Sequence, residues 1–278
     1  MTPRELIALA TARLAEHGVP SPAHDARSLL RHVLGERPLE LIDEVSDPDV
    51  DAYIALLARR ALREPLQHIL GEATFRYSQL VIARGAFVPR PETEIVAGAA
   101  IEWLAEREVP RVVDLCTGSG AIAAAIADEV PGAQTWAVEL SKEAAAVAQQ
   151  NLEPRGVMLV LGDAADALPE LDGTIDAVIS NPPYIPDGAI PRDPEVTEWD
   201  PPAALYGGGP DGEDIPRAVA ARAAALLRDG GLFVMEHGDL QGESMRALVA
   251  ATGAFEAIET GRDLTDRDRY VRAIRRRR

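Results

Sequence analysis

From about residue 90 onward the chain alternates short apolar runs with helical patterns, and this alternation constrains the fold more than any other feature. Arg111-Val112-Val113-Asp114-Leu115, Thr135 to Val138, Val157 to Val160, Ile175 to Ser180, Leu232 to Glu236 and Tyr270 to Ile274 read as strands. Ala121 to Ala127, Lys142 to Asn151, Ile215 to Leu227 and Gln241 to Ala251 read as helices between them. Repetition of this kind implies a doubly wound, mainly parallel α/β sheet, with ligands expected at the carboxyl ends of its strands.

Upstream the period is helical. Arg4 to Glu16 places Leu6, Ile7, Leu9, Ala10 and Leu14 on one face and ends at Gly18-Val19-Pro20. A second helix carries Leu29, Leu30, Val33 and Leu34 inward and stops at Gly35; a third, Pro48 to Arg63, carries Tyr53, Ile54, Leu56 and Leu57. Between Ala73 and Val88 the period shifts towards 2, as in Thr74-Phe75-Arg76-Tyr77 and Leu80-Val81-Ile82, which predicts a β-hairpin. The expected organisation is a small helical domain over 1–72, a hairpin connector over 73–90 and the sheet domain over 91–278.

Composition narrows the function. A net charge of -17 opposes a polyanionic partner, because neutralising phosphates takes a basic face. The Arg275 to Arg278 run is the exception and reads as a solvated tail. One cysteine excludes an internal disulfide, and five histidines without ligand spacing give no sign of a metal site. Residues Met1 to Ala10 lack the basic and apolar regions of a signal peptide, and no apolar run approaches the ~20 residues of a membrane span. The expected location is the cytoplasm, away from membranes.

Two motifs carry chemistry. Asp114-Leu115-Cys116-Thr117-Gly118-Ser119-Gly120 runs from a strand into a glycine-rich turn and then a helix, where backbone can approach a ligand closely. Glu139 lies 19 residues beyond Gly120, at the end of the next strand, where a carboxylate can take both hydroxyls of a ribose. These features alone also suit a dinucleotide site, since Gly118, Gly120 and Ala123 satisfy its spacing. The second motif, Asn181-Pro182-Pro183-Tyr184, closes the strand Ile175 to Ser180. Proline cannot donate to a ladder, so the strand stops at Asn181 and leaves the Asn181 side chain and the Pro182 carbonyl as free acceptors beside an aromatic ring.

The acid before the glycines separates the classes. Asp114 in the spacing D-x-C-x-G-x-G resembles the D-x-G-x-G-x-G motif of Rossmann-like S-adenosyl-L-methionine methyltransferases. That resemblance implies that Asp114 reaches toward the methionine part of the donor, and that Asp163 and Ala164, after the third strand, contact adenine. Thr117, Gly118, Ser119 and Gly120 complete the turn around it. Cys116 stands where the family has its first glycine and reads as tolerated packing, not as a nucleophile. Asn181-Pro182-Pro183-Tyr184 resembles the [DNS]-PP-[YFW] motif of methyltransferases that modify a planar nitrogen. The expected roles follow from the chemistry: Asn181 and Pro182 accept both N–H bonds and point a weak nucleophile at the donor, Pro183 stiffens the turn, and Tyr184 stacks on the planar group.

More of the chain resembles the release factor glutamine methyltransferases, the PrmC or HemK family. The matching residues are Glu64 to Gly71, Phe87-Val88-Pro89-Arg90-Pro91-Glu92-Thr93-Glu94, Asp114 to Gly120, Ser180 to Ile185, and Glu236-His237-Gly238 with Gln241. The resemblance implies methylation of the glutamine in the Gly-Gly-Gln tripeptide of class-1 peptide chain release factors, with Phe87 and Arg90 on the substrate side. Pro91-Glu92-Thr93-Glu94 is also a good helix start, and His237 reads as structural. Competing readings are a glutamine methyltransferase for a ribosomal protein, an adenine-N6 or guanine-N2 enzyme on nucleic acid, a nicotinamide-dependent oxidoreductase, and a non-enzymatic binder of S-adenosyl-L-methionine. The oxidoreductase leaves Asn181 to Tyr184 unexplained, and the nucleic-acid enzyme lacks a basic groove.

Overall fold

The computed structural model describes residues 1–35, 37–191 and 193–277. In chain order the helices are α1 (Pro3–Glu16), α2 (Pro22–Leu34), α3 (Asp47–Ala61), α4 (Leu66–Leu70), α5 (Pro91–Leu104), α6 (Ala121–Glu129), α7 (Lys142–Leu152), α8 (Pro194–Trp199), α9 (Asp214–Leu226) and α10 (Gly242–Ala251). The strands are β1 (Glu72–Phe75), β2 (Ser78–Val81), β3 (Arg111–Leu115), β4 (Gln134–Glu139), β5 (Met158–Leu161), β6 (Ile175–Ser180), β7 (Leu227–Glu236), β8 (Phe255–Arg262) and β9 (Asp268–Arg275). They form two compact units, Met1–Glu72 with Pro191–Trp199, and Ala73–Ile190 with Asp200–Arg278.

The first unit is helical. Thr2 and Glu5 form a capping box on α1, with the Glu5 amide 3.3 Å from the Thr2 hydroxyl and the Thr2 amide 2.9 Å from the Glu5 carboxylate. Leu6, Leu14, Leu29, Leu30, Tyr53 and Leu57 are buried together, and the Tyr53 hydroxyl donates to the Ala26 carbonyl at 2.8 Å. Leu9 and Ile54, expected inward, are 64% and 46% exposed. A strict stripe of every third or fourth residue is wider than the face these short helices bury. Beside this core, Arg60 donates to Asp25 at 2.7 Å and to Glu195 of α8 at 3.0 Å, and Arg63 also pairs with Glu195. A short helix from late in the chain thus belongs to this unit, held by buried charge.

The second unit holds, among the described residues, a seven-stranded sheet in the order β5-β4-β3-β6-β7-β9-β8, parallel from β5 to β7 with β9 and β8 antiparallel at one edge. The doubly wound α/β expectation holds. Val112, Ala137, Ala177, Ile179 and Val234 pack one face against α5 and α6, while Val113, Val138, Val178, Phe233 and Met235 pack the other against α9 and α10. The hairpin β1-β2 is tied to the sheet through Asn151, which accepts from the Val81 amide at 2.7 Å and donates to the Ser119 carbonyl at 2.8 Å.

The solvated-tail expectation fails for its first arginine, whereas Arg276 is exposed. Arg275 is buried and donates to the carbonyls of Ala224 and Ala254, each at 2.9 Å, and Arg276 donates to the Phe255 carbonyl at 2.8 Å. The Ala224 carbonyl lies in the last turn of α9 and the Phe255 carbonyl on the edge strand β8, where acceptors are left over, while the Ala254 carbonyl also accepts from the Arg276 amide at 2.9 Å. Arg278 lies outside the described residues.

Candidate active site

Strand register builds the site. Leu115 is level with Val138 and with Ser180, and Ser180 with Met235, so Glu139, Cys116, Asn181 and Glu236 follow one another along the carboxyl edge of the sheet. The switch from β3 toward β4 on one side and β6 on the other opens the crevice there.

The donor side begins at Asp114, fully buried at the end of β3. Its Oδ2 accepts from the Thr117 hydroxyl at 2.5 Å and from the Ala123 amide at 3.2 Å. Burial pushes its carboxyl up to about 7, against the pull of those two donors. Cys116, Gly118 and Gly120 then have φ of 62°, 60° and 87°, the left-handed region where glycine is free and other residues are strained. The glycine common at position 116 in the resembling motif thus has a backbone reason. Burial, with the Glu139 and Asp114 carboxylates nearby, pushes the Cys116 thiol up and keeps it from being a thiolate.

Glu139, half-buried at the end of β4, accepts from the Gly118 amide and from the Ser141 amide, each at 2.8 Å. Each oxygen keeps a lone pair for a further donor, and burial pushes the carboxyl up. Beyond β5, Ala164 is buried while Asp163 is exposed, with Oδ1 taken by the Ala165 amide at 2.9 Å. A ligand with donors fits these residues. Asp114 Oδ1 is buried without a partner among the described residues, and a Cβ on Gly118 would meet nothing within 4 Å.

The acceptor side is the end of β6. Asn181 Nδ2 donates to the hydroxyl of Thr93 in α5 at 3.3 Å, which leaves Oδ1 available as an acceptor. Pro182 and Pro183 are buried. The turn is held by backbone bonds between Ile185 and Leu205 at 2.9 Å and between Gly207 and Ile185 at 3.0 Å. Gly212 packs so closely that a Cβ there would sit 2.3 Å from the Tyr184 carbonyl. Gln241 closes the arrangement, donating to the Tyr184 carbonyl at 3.0 Å and accepting from the Gly238 amide at 2.9 Å. The Tyr184 hydroxyl lies 3.5 Å from buried Glu236, and burial pushes both groups up, Glu236 to about 7.

Phe87 and Arg90 meet at the start of α5. The Arg90 guanidinium stands 4.9 Å from the Phe87 ring centroid and pairs at 2.5 Å with buried Asp200, which also accepts from the Val88 amide at 3.5 Å. His237 is fully buried with Nδ1 2.8 Å from the Gly238 carbonyl. Sequence reasoning missed Asp200 and the Gly207 to Gly212 loop, and took Thr93 as part of the family segment and of a helix start, without a link to Asn181. The run of three glycines from Gly207 was a signal for close backbone approach.

A glycine turn between β3 and α6, acids closing successive strands and an acceptor pair beside an aromatic at β6 define an S-adenosylmethionine-dependent methyltransferase with a Rossmann-like sheet. Residues 5–71 match the PrmC N-terminal domain and residues 93–193 the methyltransferase small domain. The release factor glutamine methyltransferase of Bifidobacterium longum is 44% identical over 97% of this chain and 98% of its own. The chain belongs to the release factor glutamine methyltransferase family. Also similar is a Streptomyces pristinaespiralis protein named 4-amino-L-phenylalanine/4-methylamino-L-phenylalanine methyltransferase, 42% identical over 88% of this chain and 86% of its own. Among solved structures, the T. thermophilus 16S rRNA N2 G1207 methyltransferase in complex with AdoMet and guanosine shares the fold, with TM-score 0.52 and 22% identity over 74% of this chain and 50% of that one.

Proposed function

We propose that this protein methylates the side-chain amide nitrogen (N5) of the glutamine in the Gly-Gly-Gln tripeptide of class-1 peptide chain release factors, in the cytoplasm. The observation that carries the reading is the Asn181 amide, whose NH2 end is tied to Thr93 and whose oxygen is left as an acceptor beside the glycine turn. Choice of a release factor is supported by relatives of that name over nearly the full length, helical residues included. We assign those residues to docking, since they carry no chemistry of their own. The net charge of -17 favours a protein over a nucleic-acid substrate.

S-adenosyl-L-methionine, when bound, supplies an electrophilic methyl group. Glu139 would hold the ribose hydroxyls, Asp114 and the turn from Cys116 to Gly120 the methionine part, and Asp163 with Ala164 the adenine. An amide nitrogen is a poor nucleophile because its lone pair is delocalised into the carbonyl. Asn181 Oδ1 and the Pro182 carbonyl accept its two N–H bonds and fix its approach, and Tyr184 and Phe87 stack on or beside the planar group. Arg90, oriented by Asp200, borders the same pocket. No general base is needed: His237 is buried with its Nδ1 engaged, and the alkylated nitrogen is acidic enough to lose its proton to water.

The test is incubation of purified class-1 release factor with labelled donor, followed by peptide mass mapping. One added methyl on the glutamine of the Gly-Gly-Gln peptide is expected. Methylation confined to a ribosomal protein or to 4-amino-L-phenylalanine would overturn the reading.

A further inference from the structure

A carboxamide has two ends of nearly the same size and opposite chemistry. For Asn181 to serve as an acceptor, something must hold its NH2 end away from the substrate amide, which presents an NH2 of its own. We infer that Thr93 is the positioning residue that sets this polarity: its buried hydroxyl accepts from Asn181 Nδ2 and so keeps Oδ1 turned to the substrate nitrogen. The inference rests on the methyl-transfer reading above and names the residue that makes its acceptor usable.

Placement supports it. Thr93 lies in the first turn of α5, 4% exposed, and α5 packs across β6 and β7. Because Ser180 is level with Met235, the next residues, Asn181 and Glu236, emerge side by side, and Thr93 faces both. A hydroxyl has one proton and two lone pairs. Glu236 is 2% exposed at the end of β7 and, when ionised, only accepts. Thr93 is among the groups that hold that carboxyl down against its burial. The end of the Asn181 amide that meets this hydroxyl is the NH2, at 3.3 Å, and the lone pairs of the Thr93 oxygen suit that donor. Glu236 also lies 3.5 Å from the Tyr184 hydroxyl, so one buried carboxyl stands behind both the acceptor and the aromatic arm of the clamp.

Without the Thr93 hydroxyl, the carboxamide is free to turn over and set donor against donor. A mispaired orientation at the reacting nitrogen should slow transfer by about 10- to 100-fold. An aspartate at position 181 needs no such orientation, because both its oxygens accept.

The test is single-turnover methylation of release factor at saturating donor by wild type, Thr93→Val and Thr93→Ser, each also in an Asn181→Asp background. Donor affinity by calorimetry checks that every variant is folded. Thr93→Val should lose about 10- to 100-fold in rate with donor affinity unchanged, and Thr93→Ser should recover to within about threefold of wild type. In the Asn181→Asp background, Thr93→Val should cost no more than about a further threefold. A full rate for Thr93→Val, or the same loss in both backgrounds, would overturn the inference, the second by showing that the residue acts through packing. Absence of transfer to release factor by wild type would instead overturn the methyl-transfer reading, and this inference with it.

Discussion

Replacing Asn181 by alanine removes one acceptor and little else. The turn keeps its shape through Pro182 and Pro183, through the Ile185 and Gly207 backbone bonds, and through the Gln241 amide on the Tyr184 carbonyl. Thr93 loses one partner at 3.3 Å, a stability change of about 1 kcal/mol. The transition state loses more, because a weak nucleophile depends on a fixed acceptor to hold its N–H while charge shifts onto nitrogen. Removing one such preorganised group typically costs ~3–4 kcal/mol, or roughly 10²–10³ in rate. The Pro182 carbonyl remains, so the loss should not exceed that range. Donor affinity should change little, since Asp114, the glycine turn and Glu139 are untouched. Asn181→Asp restores an acceptor but sets a carboxylate near the sulfonium, stabilising the charged donor more than the charge-dispersed transition state, and should recover only part of the rate. Single-turnover methylation of release factor at saturating donor reads all three enzymes. If the alanine variant transfers methyl within about threefold of wild type, Asn181 is the end of a strand and the clamp reading is wrong.

On the donor side, Glu139→Ala should weaken S-adenosyl-L-methionine by ~1.5–3 kcal/mol, because the ribose loses a charge-assisted acceptor and the Gly118 amide loses the partner that holds the turn; unchanged affinity by calorimetry removes the ribose assignment. The buried Glu236 carboxyl, with Thr93, Tyr184, Arg269 and Glu92 around it, has its pKa raised from 4.5 to about 7. Between those values the folded state keeps a proton that the unfolded chain releases, so this group's contribution to stability falls as pH rises and levels off above 7, a swing of roughly 3 kcal/mol at most. Thermal melts from acid to mildly alkaline pH should show Glu236→Gln gaining on wild type with rising pH, and a constant gap would contradict the burial argument. Cys116, its thiol pushed up by burial, should resist iodoacetamide at neutral pH with methyl transfer intact; rapid alkylation detected by intact mass would show a thiolate and reopen its role.

What was legible in the sequence is what is encoded locally. The strands expected at Arg111 to Leu115 and Ile175 to Ser180 have those ends in the structure, because each is a short, mainly apolar run closed by a turn signal. β8, with the sequence Phe255-Glu256-Ala257-Ile258-Glu259-Thr260-Gly261-Arg262, was not expected: it is an edge strand, largely exposed, whose polar residues serve solubility and mask its period. α8 escaped for another reason. At six residues it is too short for periodicity, and Glu195 is held by Arg60 and Arg63, partners more than a hundred residues earlier in the chain. Thr93 shows the same limit within the active site. As part of Pro-Glu-Thr-Glu it is a helix start and one position of the family segment, and no spacing along the chain connects it to Asn181 or to Glu236. Only the order of the sheet, which sets β6 beside β7 and lays α5 across both, brings the three together. Groups that meet substrate sit in motifs short enough to read, since one turn must present several of them at once. Groups that orient those residues come from whichever elements the fold packs behind the turn, and their role is written in the topology.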